Sequence, residues 1–307
     1  MRRLAALLAV LALLAAGCAG PRSGALGPAP TAAPPPVPPP SAPTFPSSAP
    51  TSPSPSTDRP PVRTPPAPSS ARPDSPGPQN PTGTVDLELW FVRDGTLAFT
   101  RRSRPATVAT SRLALAELAA GPTPPEAAAG LTTLVPAGIE VARITDGTAT
   151  VVPPATFAEP DPRALRLARA QVVWTLTQFP TVRRVAFTGD GADVVLSRPD
   201  LTDLLAPIVV TSPVIGQRVT APVTVAGTAD VYEATVSVRV LDRAGRVVGT
   251  GFTTASCGTG CRGVYRFAVA WRATPGGPGT VEVYEVSPRD GSRQHVVSVP
   301  VLLAATG

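Results

Sequence analysis

The 307-residue sequence contains no lysine, and all 27 of its basic residues are arginine. It has one histidine, His295, one asparagine, Asn80, and three cysteines. Each scarcity removes a class of chemistry. One histidine excludes multi-histidine metal sites and the HExxH zinc helix. Without lysine, the GxxxxGK[ST] phosphate loop cannot form, which argues against nucleotide hydrolysis. No GxSxG elbow is present. A Ser-His-Asp arrangement would have to use His295, which falls in the last strand of the pattern, where a solvent-facing role is the simpler account. The nearest acidic pairs, Asp190 with Asp193 and Asp200 with Asp203, read as turn and helix-end residues rather than a glycosidase pair. The expectation is a chain that is not an enzyme and has no cofactor and no metal.

The basic balance also dissolves on inspection. Six arginines precede Val85 against only Asp58 and Asp74, leaving 21 arginines against 19 acids in the remainder. So even a distribution lacks the clustered basic surface with aromatic platforms that nucleic-acid binding needs.

What is present begins with Arg2 and Arg3, an apolar run over residues 4–16, and Leu14-Ala15-Ala16-Gly17-Cys18. A membrane helix needs about 20 apolar residues, so the run is too short to span and reads as a secretion signal over residues 1–17. Its end resembles the lipobox of bacterial lipoproteins, with Ala15 where leucine is commoner. That resemblance implies lipidation of Cys18 and anchoring on the extracytoplasmic face of the cell membrane. The alternative is an ordinary signal peptide cleaved nearby, with Cys18 lost or left as a free thiol. Residues 18–84 form a Pro/Ser/Ala-rich linker: 23 of the 41 prolines lie between Pro21 and Pro81. Such a composition has too little apolar surface to fold. In polyproline II form, at about 3.1 Å per residue, it would reach on the order of 190 Å.

From Val85 the pattern becomes amphipathic and divides near residue 206. Over 85–200, Val85, Leu87, Leu89 and Phe91 alternate with polar neighbours, and a turn at Asp94-Gly95 makes a hairpin. Ala114, Leu115, Leu118 and Ala119 mark one helix ended by Gly121-Pro122. Ile139 to Ile144 and Thr148 to Val152 flank Asp146-Gly147 as a second hairpin. Asp161 caps a helix opened by Pro162, with a stripe from Leu165 to Phe179, and Val182 to Thr188 follows as a strand closed by Asp190-Gly191. This predicts an α+β domain with two helices on one face of a small sheet. Over 207–303, seven short strands in about 100 residues predict an all-β immunoglobulin-like sandwich.

A family resemblance is carried by Gly121-Pro122-Thr123, Gly130-Leu131, Val135-Pro136-Ala137-Gly138, the run Gln171 to Pro180 and Asp190-Gly191. These make the first region similar to the GerMN domain of sporulation and spore-germination proteins. Ser212-Pro213, Gly227-Thr228-Ala229, Tyr232-Glu233-Ala234, Asp242 with Gly245, the Cys257 region, and Val283-Tyr284-Glu285 with Ser287 to Gly291 make the second similar to the immunoglobulin-like domain of bacterial spore germination. Tyr232 stands where phenylalanine is expected. The resemblance implies envelope work, in assembling or tuning complexes outside the membrane, and it brings no catalytic residue set.

Cys257 and Cys261 bracket Gly258-Thr259-Gly260. In an oxidising compartment this spacing reads as a local disulfide; a redox pair would have two intervening residues, and a zinc site needs two further ligands. The expectation is a lipid-anchored protein that binds or helps assemble or regulate an extracytoplasmic or membrane protein partner. The alternative is a peptidoglycan or wall-glycan binding module. It would need exposed aromatics, and Trp90, Trp174 and Trp271 all fall in elements where core packing is the simpler account.

Overall fold

A computed structural model of the chain describes residues 81–157, 161–189, 193–272 and 275–306. The expected signal 1–17, Cys18, the linker as far as residue 80, and the Asp190-Gly191 turn lie outside the described residues. Among the described residues no helix is long and apolar enough to cross a membrane.

The first domain opens with a hairpin of β1 (Thr84–Arg93) and β2 (Thr96–Pro105), paired through to Arg93↔Thr96 around the Asp94-Gly95 turn. Helices α1 (Thr110–Ala119) and α2 (Pro124–Ala128) follow, then β3 (Glu140–Thr145), β4 (Thr148–Val152), α3 (Pro162–Leu176), β5 (Arg184–Phe187) and β6 (Val194–Leu196). The fold is α+β, as the pattern predicts, but its strands form two sheets rather than one. β1 and β2 stand alone, while β3-β4-β5-β6 make a four-stranded sheet in that order. α2 and β6, each too short to show a period, were not legible in the sequence.

The reason for the division lies on α3. Gln171 and Thr175 on α3, and Gln178 in the turn just beyond its end, face the free edge of β1. The Gln171 amide donates to the Trp90 carbonyl (3.0 Å), Thr175 Oγ1 accepts the Trp90 N–H (3.2 Å), and Gln178 both accepts from and donates to the Glu88 backbone (2.8 Å each). Thr132 completes the edge by exchanging two 2.8 Å backbone bonds with Val92. An edge whose amides and carbonyls are already satisfied has no need of another strand.

α3 starts as the sequence indicates: the Asp161 carboxylate accepts the Arg163 N–H (3.0 Å), and Pro162 occupies the first turn. Its later turns are buried on nearly every side, because it packs against β1, α1 and β5 together. Within this core the Trp90 ring meets Trp174 at a tilt (centroids 4.7 Å apart) and Phe99 edge-on (5.4 Å). Two short 3-10 turns over Arg198–Leu204, kinked at Leu201, close the domain. Leu201, Leu204 and Leu205, a plain join in the sequence, belong to its core.

The second domain contains all seven strands read from the pattern: β7 (Ile208–Ser212), β9 (Val223–Ala229), β10 (Thr235–Leu241), β11 (Val247–Thr254), β12 (Gly263–Val269), β13 (Gly277–Val286) and β14 (Arg293–Leu303). A two-residue strand, β8 (Arg218–Val219), is added in parallel to β14. The sheets run β11-β10-β13-β14-β8 and β12-β9-β7. Val236, Val238 and Val240 point inward and are fully buried, against Tyr265, Val269, Val281 and Val283. Trp271 is buried here too.

The two domains share a joint. Arg93 of β1 donates to the Ser298 carbonyl of β14 (3.3 Å). Within β7, Ile208 enters the core of the second domain while its neighbour Val209 enters that of the first.

Candidate functional site

The motif residues of the first domain are spent on architecture. Gly121 adopts a left-handed conformation (φ +87) after α1, and its carbonyl accepts from Arg102 (2.9 Å). Thr123 and Glu126 form a reciprocal capping box at α2. Glu126 also takes bonds from Thr100 (2.8 Å) and Arg102 (2.5 Å), and Arg102 reaches Glu117 as well (3.2 Å). Burial by itself would raise the Glu126 pKa, but the hydrogen bonds from Arg102, Thr123 and Thr100 outweigh it and leave the carboxyl below its ordinary value. The Glu126 carboxylate is thus committed to holding α2 against the hairpin.

Two of the candidate acids, Asp200 and Asp203, are likewise engaged. Asp200 accepts the Ser197 N–H (2.8 Å) and hydroxyl (2.6 Å), and Asp203 pairs with Arg166 (2.5 Å). Asp193 is exposed, and its intended partner Asp190 lies outside the described residues. Among the described residues no group of three or more His, Cys, Asp or Glu side chains could hold a metal ion.

Of the six left-handed non-glycine residues among the described ones, Asp94 and Asp146 serve the hairpin turns of the first domain, and the other four gather at one end of the second. Glu233 (φ +52), Ala234 (φ +57), Thr259 (φ +53) and His295 (φ +51) are all left-handed without being glycine. Such a conformation costs roughly 1–3 kcal/mol each and persists only where the surroundings enforce it. Here they do. Three segments converge: the turn after β9 (230–234), the loop joining β11 to β12, and the β13–β14 pair. The Tyr232 N–H donates to Glu285 Oε1 (3.0 Å) and the Glu233 N–H to Thr259 Oγ1 (3.1 Å). The Thr259 N–H donates to the Val231 carbonyl (3.0 Å), and the Gly260 N–H to Asp230 Oδ1 (2.8 Å). The buried Glu285 carboxylate has its other oxygen 3.6 Å from His295 Nε2.

Cys257 and Cys261 are joined as a disulfide, Cα atoms 5.7 Å apart, which fixes the middle of these three segments. Gly258 is required there by proximity: a Cβ would lie 2.5 Å from the Ala234 backbone. Directly after the loop, Arg262 donates to the Ala206 carbonyl (2.8 Å), tying the corner to the joint between the domains. Burial lowers the Arg262 pKa, with Asp230 opposing. Tyr232 projects from this frame nearly half exposed, beside exposed Glu233, Thr259 and Gly260.

This corner brings together Tyr232-Glu233-Ala234, the Cys257 loop and Glu285, three motif groups widely separated in the sequence. His295 belongs with them through Glu285, and among the described residues no serine hydroxyl hydrogen-bonds to it. Sequence reasoning missed the meeting of Glu285 with the Tyr232 turn. A buried acid at an otherwise inward-facing valine position of β13 was the available signal.

Residues 79–195 match the family model for sporulation and spore germination, and residues 207–292 match that for the immunoglobulin-like domain of bacterial spore germination. The chain is a tandem of these two spore-germination domains. Neither family is an enzymatic one. No curated protein matches the chain. Among solved structures it is similar to the tandem GerMN domains of the sporulation protein GerM from Bacillus subtilis, at 19% identity and TM-score 0.34 over 61% of this chain and 62% of that one. The chain thus spans about three-fifths of that structure. It is similar to the first GerMN domain of the same protein at 26% identity and TM-score 0.31, covering 36% of this chain and 86% of that one. A putative lipoprotein from Clostridium perfringens gives 13% identity and TM-score 0.26, covering 42% and 97%. At such scores these likenesses carry no argument about function. The GerMN domain here supplies a core closed by polar side chains, and the immunoglobulin-like domain supplies the strained corner.

Proposed function

We propose that this chain is a non-catalytic envelope lipoprotein, anchored through Cys18, that binds an extracytoplasmic or membrane protein partner through the corner of its immunoglobulin-like domain. The observation that carries the reading is the convergence of left-handed, non-glycine residues around Tyr232. Strain of this kind is retained where a fixed surface shape is worth its cost, and loops at the end of a sandwich are a common place for recognition. The joint adds a rigid base, since Arg262 ties the corner to the junction of the domains.

The test is a mild crosslinking pull-down of the membrane-anchored protein. One stoichiometric membrane-protein partner should be recovered, lost from the membrane fraction with Cys18→Ala and weakened by Tyr232→Ala. Recovery of wall fragments without a protein partner would overturn the reading. A second reading, wall-glycan binding, is favoured by one observation only. The three tryptophans are buried, but Phe252 is 75% exposed on the outer face of the five-stranded sheet, in register through Ser237 with Tyr284.

A further inference from the structure

At the other end of β10 from the corner, the β10–β11 turn and the segment entering β13 enclose a pocket of about 460 Å³. Its lining includes three exposed arginines, Arg243, Arg246 and Arg272, and one acid, Asp242. That carboxylate is already spent. Asp242 accepts the backbone N–H groups of Ala244 (2.9 Å) and Arg246 (3.0 Å) and the Arg246 side chain (2.8 Å). The Arg246 backbone bond first, and then its side chain, hold the Asp242 carboxyl below the ordinary range, so the group stays ionised at neutral pH.

Arg243 and Arg272 form no ion pair among the described residues. The Arg272 backbone is nonetheless fixed, its N–H donating to the Val248 carbonyl (3.1 Å). The pocket therefore holds two positive charges in excess, over a floor that includes Gly277 and Leu303. Arginines gathered around one concavity, two of them without an ion pair among the described residues, suit an oxyanion that can accept several hydrogen bonds, because a guanidinium is a planar set of donors. A carboxylate brings one negative charge, whereas a phosphate monoester brings about 1.5 to 2 at neutral pH, which matches the excess.

We infer that this pocket of the immunoglobulin-like domain binds a phosphate monoester, held by Arg243, Arg246 and Arg272. The site is separate from the corner, and neither depends on the other.

The experiment is titration of the full chain with glycerol phosphate at low ionic strength, followed by calorimetry and by amide NMR shifts at residues 242–248 and at Gly276 and Gly277. Saturable binding is expected, with acetate far weaker and added salt loosening the complex. The double variant Arg243→Gln/Arg272→Gln removes two charge-assisted contacts and should weaken binding by at least about tenfold. Arg266→Gln, exposed on β12, should leave it unchanged. An unaltered unfolding midpoint would separate loss of the site from loss of the fold. Vesicles of phosphatidic acid against phosphatidylcholine distinguish the source: binding to both vesicle-borne and soluble phosphate, or to either alone, supports the site and assigns its ligand. Equal binding of acetate, or undiminished binding by the double variant, overturns it.

Discussion

Gln171 is fully buried, and both ends of its amide are engaged: Oε1 accepts the Leu134 N–H (2.8 Å) and Nε2 donates to the Trp90 carbonyl (3.0 Å). Gln171→Leu preserves volume and helix propensity while removing both partners. Each orphaned buried backbone group costs about 1–3 kcal/mol, so two cost roughly 2–6, and the apolar replacement returns part of this by avoiding burial of an amide. A net loss of about 2–4 kcal/mol is expected, a large fraction of the roughly 5–15 kcal/mol that holds a domain folded. Urea unfolding reads it directly, because Trp90 and Trp174 lie in the same core and report through fluorescence. The comparison is Asp203→Asn, which breaks a pair whose side chains are 46% and 59% exposed and should cost no more than about 1 kcal/mol. If Gln171→Leu unfolds at the same urea concentration as Asp203→Asn, the helix side chains are not what closes the hairpin edge.

Three further outcomes are expected. Because the folded-state pKa of Glu126 is depressed, its contribution to stability is present above its ordinary value of 4.5 and lost as the pH falls through the lower folded value. The urea midpoint of the GerMN domain should therefore decline below about pH 4.5, and less steeply in Glu126→Gln; equal slopes would count against the network. Replacing Cys257 and Cys261 by serine opens a short loop and should cost the immunoglobulin-like domain about 2 kcal/mol, with faster hydrogen exchange at Thr259 and Gly260. Protection unchanged at those amides would show that the corner holds itself. Val209→Ala should destabilise the GerMN core by about 2 kcal/mol although the residue lies in a strand of the other domain, which Trp90 and Trp174 fluorescence would detect.

Much of the architecture could be read from the chain because its signals were local. Asp161-Pro162 opens α3, Asp94-Gly95 and Asp146-Gly147 close hairpins, and the alternating valines of β10 face one core. The division into two sheets was hidden because it depends on what Gln171, Thr175 and Gln178 bond to. A polar residue on a helical stripe looks the same whether it faces water or a strand edge. Leu201, Leu204 and Leu205 were read as a join because two short 3-10 turns meeting at a kink at Leu201 show no 3.6-residue period. At the corner, Tyr232-Glu233-Ala234 and Glu285 were each visible as motif residues. Their contact was not, since it joins positions 53 apart in the sequence. The arginines of the pocket were counted only in the overall charge, where the fixed role of Asp242 leaves no trace.

The strand β7 has a consequence for how the protein comes apart. Ile208 and Val209 stand back to back, each embedded in a different hydrophobic interior, so the strand is a party wall rather than a hinge. Stripping it from either side opens both rooms at once. A mechanical load delivered to one domain is therefore shared by the other, and the two should yield together in a single-molecule extension trace rather than one after the other.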